Sequence, residues 1–160
     1  MVSSSVRSLA RLGLMKEVSS KIRNWCARAE RSPAQVLRKL AGWDFGPEAE
    51  AELEALVKDG YVSAERFAEA FIHDHVLLKN WGPAKVWAAL RQVHAIDSAV
   101  ISAGMHALGE DEITAAAERA LNGWQKIRRD APADKAIAAL LRKGFSLDCA
   151  RRALDALDAD

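Results

Sequence analysis

The segments SPAQVLRKL (residues 32–40), WGPAKVWAAL (residues 81–90) and APADKAIAAL (residues 131–140) decide the fold, because they are three versions of one pattern. Leu40, Leu90 and Leu140 close the segments at intervals of fifty residues. In each segment, apolar residues stand at positions i, i+1 and i+4, which form one stripe along a short helix. The sequence therefore predicts a repeated unit of about fifty residues, built around a central helix.

A helix is predicted on each side of every central helix, because apolar residues recur there at spacings of three or four. The preceding helices are indicated by Val18, Ile22, Trp25, Cys26 and Ala29, by Phe67, Ala70, Phe71, His75 and Leu78, and by Ile113, Ala117, Ala120, Leu121, Trp124 and Ile127. The following helices are indicated by Ala49, Leu53, Leu56 and Val57, by Ile101, Met105 and Leu108, and by Leu147, Ala150, Leu154 and Leu157.

The residues between these helices favour the same boundaries. Ser32 and Gln35 form a capping-box pattern at the start of the first central helix. Phe45, Ile96 and Phe145 each precede a following helix, as in a hydrophobic staple. We therefore expect each unit to contain three helices.

The expected fold is all-α, with three tandem three-helix repeats that form an elongated curved array. The predicted organisation is an N-terminal tail over residues 1–17 and repeats over residues 18–59, 60–108 and 109–158. A fifty-residue unit buries its apolar faces poorly alone, so neighbouring units are expected to pack on one another. The alternative is a compact globule of nine helices in which the repeat is accidental.

Composition agrees with a helical, intracellular protein. The 160 residues include 31 alanines and one tyrosine, which favours helix over strand. The two cysteines are far apart and form no CxxC motif, so a disulfide scaffold is excluded and a reducing cytoplasm is expected. No stretch has the roughly 18 consecutive apolar residues of a membrane helix, and the start of the chain lacks a signal-peptide pattern.

Charge is unevenly distributed although the net charge is only +1. Residues 1–43 carry +7, residues 44–76 carry −7, and the rest of the chain restores the total. So small an overall excess argues against tight nonspecific DNA binding, since that affinity grows with the number of phosphates neutralised. A polarised chain can still present one basic surface.

The sequence contains no convincing catalytic or metal-binding motif. The segment from Gly104 to Gly109 has Walker-like spacing, but acidic residues follow it where lysine and serine or threonine are required. His73 and His75 diverge on a helix, so one is expected to face the packing and the other water. Cys26 and Cys149 lie in apolar stripes, as packing thiols do. We therefore expect no enzyme, metal or cofactor.

Surface recognition is the remaining function class. On helical wheels, Arg38, Arg91 and Arg142 point away from the core stripe of corresponding helices. The candidate partner-binding set adds Lys39, Lys85 and Lys143, and Trp81 as an interface anchor at the start of a helix. Stacked repeats would align the cations into a discontinuous basic line for a long polyanionic or acidic partner. The alternative is that these charges only keep the helices soluble.

Four motifs, in order and at repeat spacing, resemble the RecX family of recombinase regulators. The clearest is DGYVSAERFA (residues 59–68), followed by AFI (residues 70–72). The others are CARAERS (residues 26–32) with LRKL downstream, the Gly82-Pro83 pair before its helix, and LRKGFS (residues 141–146). The resemblance covers residues 20–157.

This resemblance implies a cytoplasmic bacterial protein that binds RecA, above all the RecA filament on single-stranded DNA. We expect the chain itself to be a monomer. It implies a helical-repeat fold and the inhibition of ATP hydrolysis, strand exchange and coprotease activity, hence a role in DNA repair, homologous recombination and the SOS response. A rod of repeats would lodge in the filament groove and compete with contacts between RecA subunits. Weak direct DNA contact is a secondary expectation.

The second repeat departs from the family pattern. Residues 90–96 (LRQVHAI) replace a turn that often contains Lys-Gly-Ile, and Ala88 and Ala89 stand where polar residues are frequent. These departures leave open how much DNA contact matters beside RecA contact.

Two other functions are retained as alternatives. One is a helix-turn-helix-like DNA-binding protein, which the predicted helix pairs at residues 33–57 and 83–108 suggest. The other is a helical adaptor for a different partner.

Overall fold

The computed structural model describes residues 3–160, which form helices and connecting turns without a strand. The helices are α1 (Ser4–Ala27), α2 (Pro33–Ala41), α3 (Ala49–Lys58), α4 (Ala64–His73), α5 (Pro83–Gln92), α6 (Ser98–Ala107), α7 (Glu110–Ile127), α8 (Ala133–Arg142) and α9 (Leu147–Asp158). A π-helical segment, Asp74–Leu78, continues α4. The predicted all-α fold is confirmed, with three helices for each predicted repeat over the described residues. No described helix has the length and hydropathy to cross a membrane.

The chain divides into two compact units, the first ending at Phe67 and the second running from Ala68 to Asp160. In the first unit, α1, α2 and α3 enclose a core that contains Ile22, Val36, Leu40, Phe45 and Leu56, each at most 1% exposed. In the second unit, α7 packs against α8, α9 and the π-helical segment, while α5 packs against α6. The sequence predicts three repeats, and their boundaries stay a prediction.

One turn recurs after each central helix. Asp44, Ala95 and Gly144 adopt left-handed conformations, with φ of 56°, 53° and 95°. The next residue donates its amide to the carbonyl of the repeat leucine: Phe45 to Leu40 at 3.0 Å, Ile96 to Leu90 at 3.0 Å, and Phe145 to Leu140 at 3.1 Å. This turn closes the helix C-terminus and directs the following apolar side chain into the core, where all three are at most 3% exposed.

Ala95 holds the left-handed conformation at an energetic cost that glycine avoids, since an L-residue is strained there. We expect Ala95→Gly to raise the free energy of unfolding by about 0.5–1 kcal/mol, measured by denaturant titration. Ala103→Gly, at an exposed position inside α6, is the matched control and should lower it by about the same amount. Equal destabilisation by both variants would contradict this explanation of the turn.

Most of the stretch predicted as an N-terminal tail, residues 1–17, is helical in its described part. Helix α1 begins at Ser4, and the Ser3 hydroxyl accepts a hydrogen bond from the amide of Val6. Arg11 forms an ion pair with Glu48 and lies over the Phe45 ring, 5.8 Å from its centroid. Met15 packs against the core of the first unit. These contacts explain why the helix continues through a stretch that looks like a tail; residues 1–2 lie outside the described residues.

The predicted buried face of α4 is correct at Phe67, which is 6% exposed, and is off by one position after it. Ala68, Ile72 and Val76 are buried, while Phe71 and His75 are half-buried and Leu78 is 70% exposed. The predicted residues and the residues that are buried both recur at a spacing of four, so a helical-wheel projection does not distinguish the two faces. The π-helical segment also adds a residue to the turn, which takes Leu78 out of the predicted stripe.

Candidate partner-binding surfaces

The predicted site residues belong to both units, and each unit offers its own basic surface. Arg38 and Lys39 belong to the first unit, and the second unit holds the rest of the set. Arg38, Arg91 and Arg142 are all exposed, in agreement with the wheel. The single line through all repeats stays a prediction.

In the first unit, Lys39 lies between two indole rings. Its Nζ is 5.4 Å from the ring centroid of Trp25 and 5.4 Å from that of Trp43. The guanidinium carbon of Arg31 lies 4.1 Å from the centroid of Trp25. Cation–π contacts of this kind hold a charge in place at a surface while leaving its donors open to a partner. Sequence reasoning found Lys39 but missed Arg31 and the two tryptophans.

In the second unit, three predicted cations meet at one cavity of about 300 Å³. Lys85 reaches it from α5, Arg142 from α8, and Lys143 from the residue after α8. Arg128, just beyond α7, is a fourth cation at its edge. We call this feature the basic cavity; its other lining residues are Ala120, Leu121, Trp124, Ala136, Ala139 and Leu140. No carboxylate lines it, so its potential is positive.

The basic cavity depends on a close contact between two glycines. The amide of Gly82 donates to the carbonyl of Lys143 at 2.7 Å, and the amide of Ala84 donates to the carbonyl of Gly144 at 3.0 Å. The first turn of α5 thus satisfies its free amides with carbonyls beyond the end of α8. A Cβ on Gly82 would lie 2.2 Å from the carbonyl carbon of Gly144, so only glycine permits this approach. The contact brings Lys85 to the same cavity as Lys143.

Trp81 is half-buried beside this contact rather than fully exposed. The Nζ of Lys85 lies 4.1 Å from the ring centroid of Trp81. The ring centroids of His75 and Trp81 are 4.5 Å apart. The cation–π contact with Trp81 orients the Lys85 side chain. Its use as an interface anchor stays a prediction.

Arg91 lies outside the basic cavity, in the last turn of α5. Its Nη1 donates to the carbonyl of Ile96 at 3.0 Å, which ties the guanidinium to the left-handed turn around Ala95. Arg91 is exposed but partly committed to holding this turn. The sequence placed it in the binding set by wheel angle alone, which does not reveal such a bond.

The histidine pair and the cysteines take the environments expected of them. His73 is exposed, whereas His75 is half-buried and stacks on Phe71 with ring centroids 3.7 Å apart. Burial lowers the pKa of His75. Both thiols are buried, and burial raises the pKa of Cys26 and of Cys149. Among the described residues, no group of three or more His, Cys, Asp or Glu could hold a metal ion.

Two residues of the basic cavity, Trp124 and Arg128, were missed as site residues. Trp124 was assigned to the buried face of α7, and its guanidinium neighbour Arg128 lies 5.5 Å from the ring centroid. A signal was present in the sequence, because the basic run KIRR (residues 126–129) follows Trp124 closely. The position of Arg128 relative to Lys143 depends on how α7 packs against α8. A helical-wheel projection treats one helix at a time and does not give this packing.

Comparison with known proteins identifies relatives of one kind. No protein-family model matches the chain. The regulatory protein RecX of Streptococcus gordonii is 30% identical over 134 residues, which cover 82% of this chain and 52% of the relative. The RecX of Leuconostoc citreum is 23% identical over 141 residues, covering 86% and 53%. The chain therefore spans about half the length of the curated relatives it matches.

Solved structures show the same fold. A crystal structure of regulatory protein RecX matches with a TM-score of 0.84 at 17% identity, over 97% of this chain and 79% of that one. RecX from Lactobacillus salivarius matches with a TM-score of 0.78 at 16% identity, over 91% and 97%. The curated relatives confirm the family resemblance that the motifs indicated, and the solved structures confirm the fold.

Proposed function

We propose that this chain, a member of the RecX family, is a negative regulator of RecA recombinase that binds the RecA filament on single-stranded DNA. In this proposal the chain inhibits ATP hydrolysis, strand exchange and coprotease activity by occupying the filament. The observation that carries the proposal is the similarity to curated proteins named regulatory protein RecX over more than four-fifths of the chain. The chain would act in the cytoplasm, without a cofactor.

The basic surfaces support a mechanism that depends on contact rather than on a reactive group. Arg128, Arg142 and Lys143 form a convergent positive surface in the second unit, and Lys39 is held between indoles in the first. Electrostatic complementarity of this kind speeds association and fixes the register of a partner. A chain bound across neighbouring RecA subunits would compete with the contacts that hold the filament together.

A steady-state assay of ATP hydrolysis by RecA on single-stranded DNA tests the proposal. RecA of the source organism is titrated with this chain, and the rate is expected to fall at substoichiometric to near-equal amounts. An unchanged rate at every ratio would overturn the proposal. A gel-shift titration without RecA separates the DNA-binding alternative, which predicts tight binding with a steep dependence on salt. The adaptor alternative predicts neither effect.

A further inference from the structure

We propose that the basic cavity binds an acidic peptide segment that inserts one apolar side chain between α7 and α8. The inference deepens the proposed function and rests on it only for the identity of the protein that carries the segment. The ligand class follows from two parts of the cavity, an apolar floor and a cationic rim, which are considered in turn.

The floor of the cavity is hydrocarbon. Leu121, Ala136 and Leu140 are at most 2% exposed, and Ala120 is 7% exposed. Alanine on both helices leaves unfilled space where a larger residue would close the gap, and the resulting volume of about 300 Å³ accommodates one leucine- or phenylalanine-sized side chain. Burying such a side chain away from water is favourable.

The same floor disfavours a nucleobase. The polar edges of a base need hydrogen-bond partners, and burying a polar group without them is unfavourable. Ala120, Ala136 and Leu140 offer no side-chain donor or acceptor, and Trp124 adds one indole N–H donor and no acceptor, too few for the edge of a base. Between the two polyanionic partner classes, an acidic peptide with an apolar residue therefore fits this cavity better than single-stranded DNA.

The rim supplies charge selection. Arg128 and Arg142 are exposed, Lys85 and Lys143 are half-buried, and no acid lines the cavity to compete with a ligand carboxylate. Lys85 is positioned by Trp81 and by the Gly82–Gly144 contact, so less freedom is lost on binding. Carboxylates on both sides of the inserted side chain would meet these cations, so peptide binding should weaken as salt rises.

A binding assay with a defined peptide tests the inference. The probe is a short fluorescent peptide with one phenylalanine flanked on both sides by glutamates, and its binding is followed by fluorescence anisotropy at low salt. The full chain is expected to bind it, and binding should weaken about tenfold when the phenylalanine is replaced by alanine. Equal binding of the two peptides would overturn the inference, because charge alone would then explain the affinity.

Two variants of the chain change the floor and the rim of the basic cavity separately. Ala139→Leu should fill the cavity without changing charge, and Arg142→Glu with Lys143→Glu should reverse the rim; each should weaken peptide binding about tenfold. Arg151→Glu with Arg152→Glu, an adjacent exposed pair on α9, makes the same change in net charge away from the basic cavity and should bind as the wild type does. Unchanged binding by both cavity variants would overturn the inference, as would displacement of the peptide by oligothymidylate at equal concentrations of charge.

The RecA assay on the same proteins separates this inference from the proposed function. If the wild type inhibits RecA but binds no peptide, the inference fails alone. If the wild type binds the peptide in the phenylalanine-dependent manner but leaves RecA unaffected, the proposed function fails and the cavity assignment stands. If both hold, the free peptide should also relieve inhibition of RecA, and lack of relief would contradict a shared site.

Discussion

Gly82→Ala is expected to lower the free energy of unfolding by at least about 3 kcal/mol, because a Cβ there collides with backbone. The added carbon would lie 2.2 Å from the carbonyl carbon of Gly144, 2.3 Å from the amide nitrogen of Phe145 and 2.4 Å from the carbonyl oxygen of Gly144. Backbone atoms cannot move aside as a flexible side chain does. The start of α5 must therefore separate from the end of α8, which breaks the 2.7 Å bond from Gly82 to Lys143. Thermal and denaturant unfolding measure the effect.

The effect is steric rather than conformational, since Gly82 has φ of −82° and ψ of 164°, which any residue adopts. Gly123→Ala is the matched control. Gly123 lies inside α7, nothing lies within 4 Å of its added Cβ, and alanine should raise stability there by about 0.5–1 kcal/mol. A Gly82→Ala protein within about 0.5 kcal/mol of the wild type would contradict the close contact between the glycines.

Arg142→Glu combined with Lys143→Glu is expected to raise about tenfold the concentration of this chain that half-inhibits ATP hydrolysis by RecA. The substitution replaces two of the four cations at the basic cavity by carboxylates, so an acidic partner would be repelled where it was attracted. The Arg142 side chain is exposed and that of Lys143 is half-buried without an ion pair to a described residue, so the free energy of unfolding should change by less than about 1 kcal/mol.

The control is again Arg151→Glu with Arg152→Glu. Its half-inhibiting concentration should stay within about twofold of that of the wild type. The result that contradicts the assignment is an equal loss for both double variants, because inhibition would then follow net charge and not the basic cavity. Rising salt should weaken inhibition by the wild type. It should also reduce the difference in half-inhibiting concentration between the two double variants.

The fold was predictable from the sequence because its signals are local and repeated. Leu40, Leu90 and Leu140 mark the central helices, and each is buried to within 2% exposure. Ser32 and Gln35 form the predicted capping box, with bonds of 3.2 and 2.9 Å. Boundaries that depend on distant contacts were not predictable. Helix α1 extends back to Ser4, and this extension is joined to the rest of the first unit by an ion pair between Arg11 and Glu48, which lie far apart in sequence.

The candidate site was predictable only in part. Lys85, Arg142 and Lys143 were selected one helix at a time, and the structure brings these three to one cavity. Arg128 was missed because its position follows from the packing of α7 against α8. Gly82 and Gly144 stood in the quoted motifs, but their mutual contact is a tertiary property. The alanines of the cavity floor gave a helix signal and no indication of the space that they leave.

Sedimentation of this chain with preassembled RecA filaments tests the central claim most directly, because it detects binding to the filament before any consequence for activity. Filaments are formed on single-stranded DNA with a nonhydrolysable ATP analogue, and the chain is added to filaments, to bare DNA and to RecA without DNA. We predict that the chain pellets with the filaments and stays in solution with bare DNA. A chain that stays in solution with the filaments, or that pellets equally with bare DNA, would contradict a regulator that recognises the RecA filament.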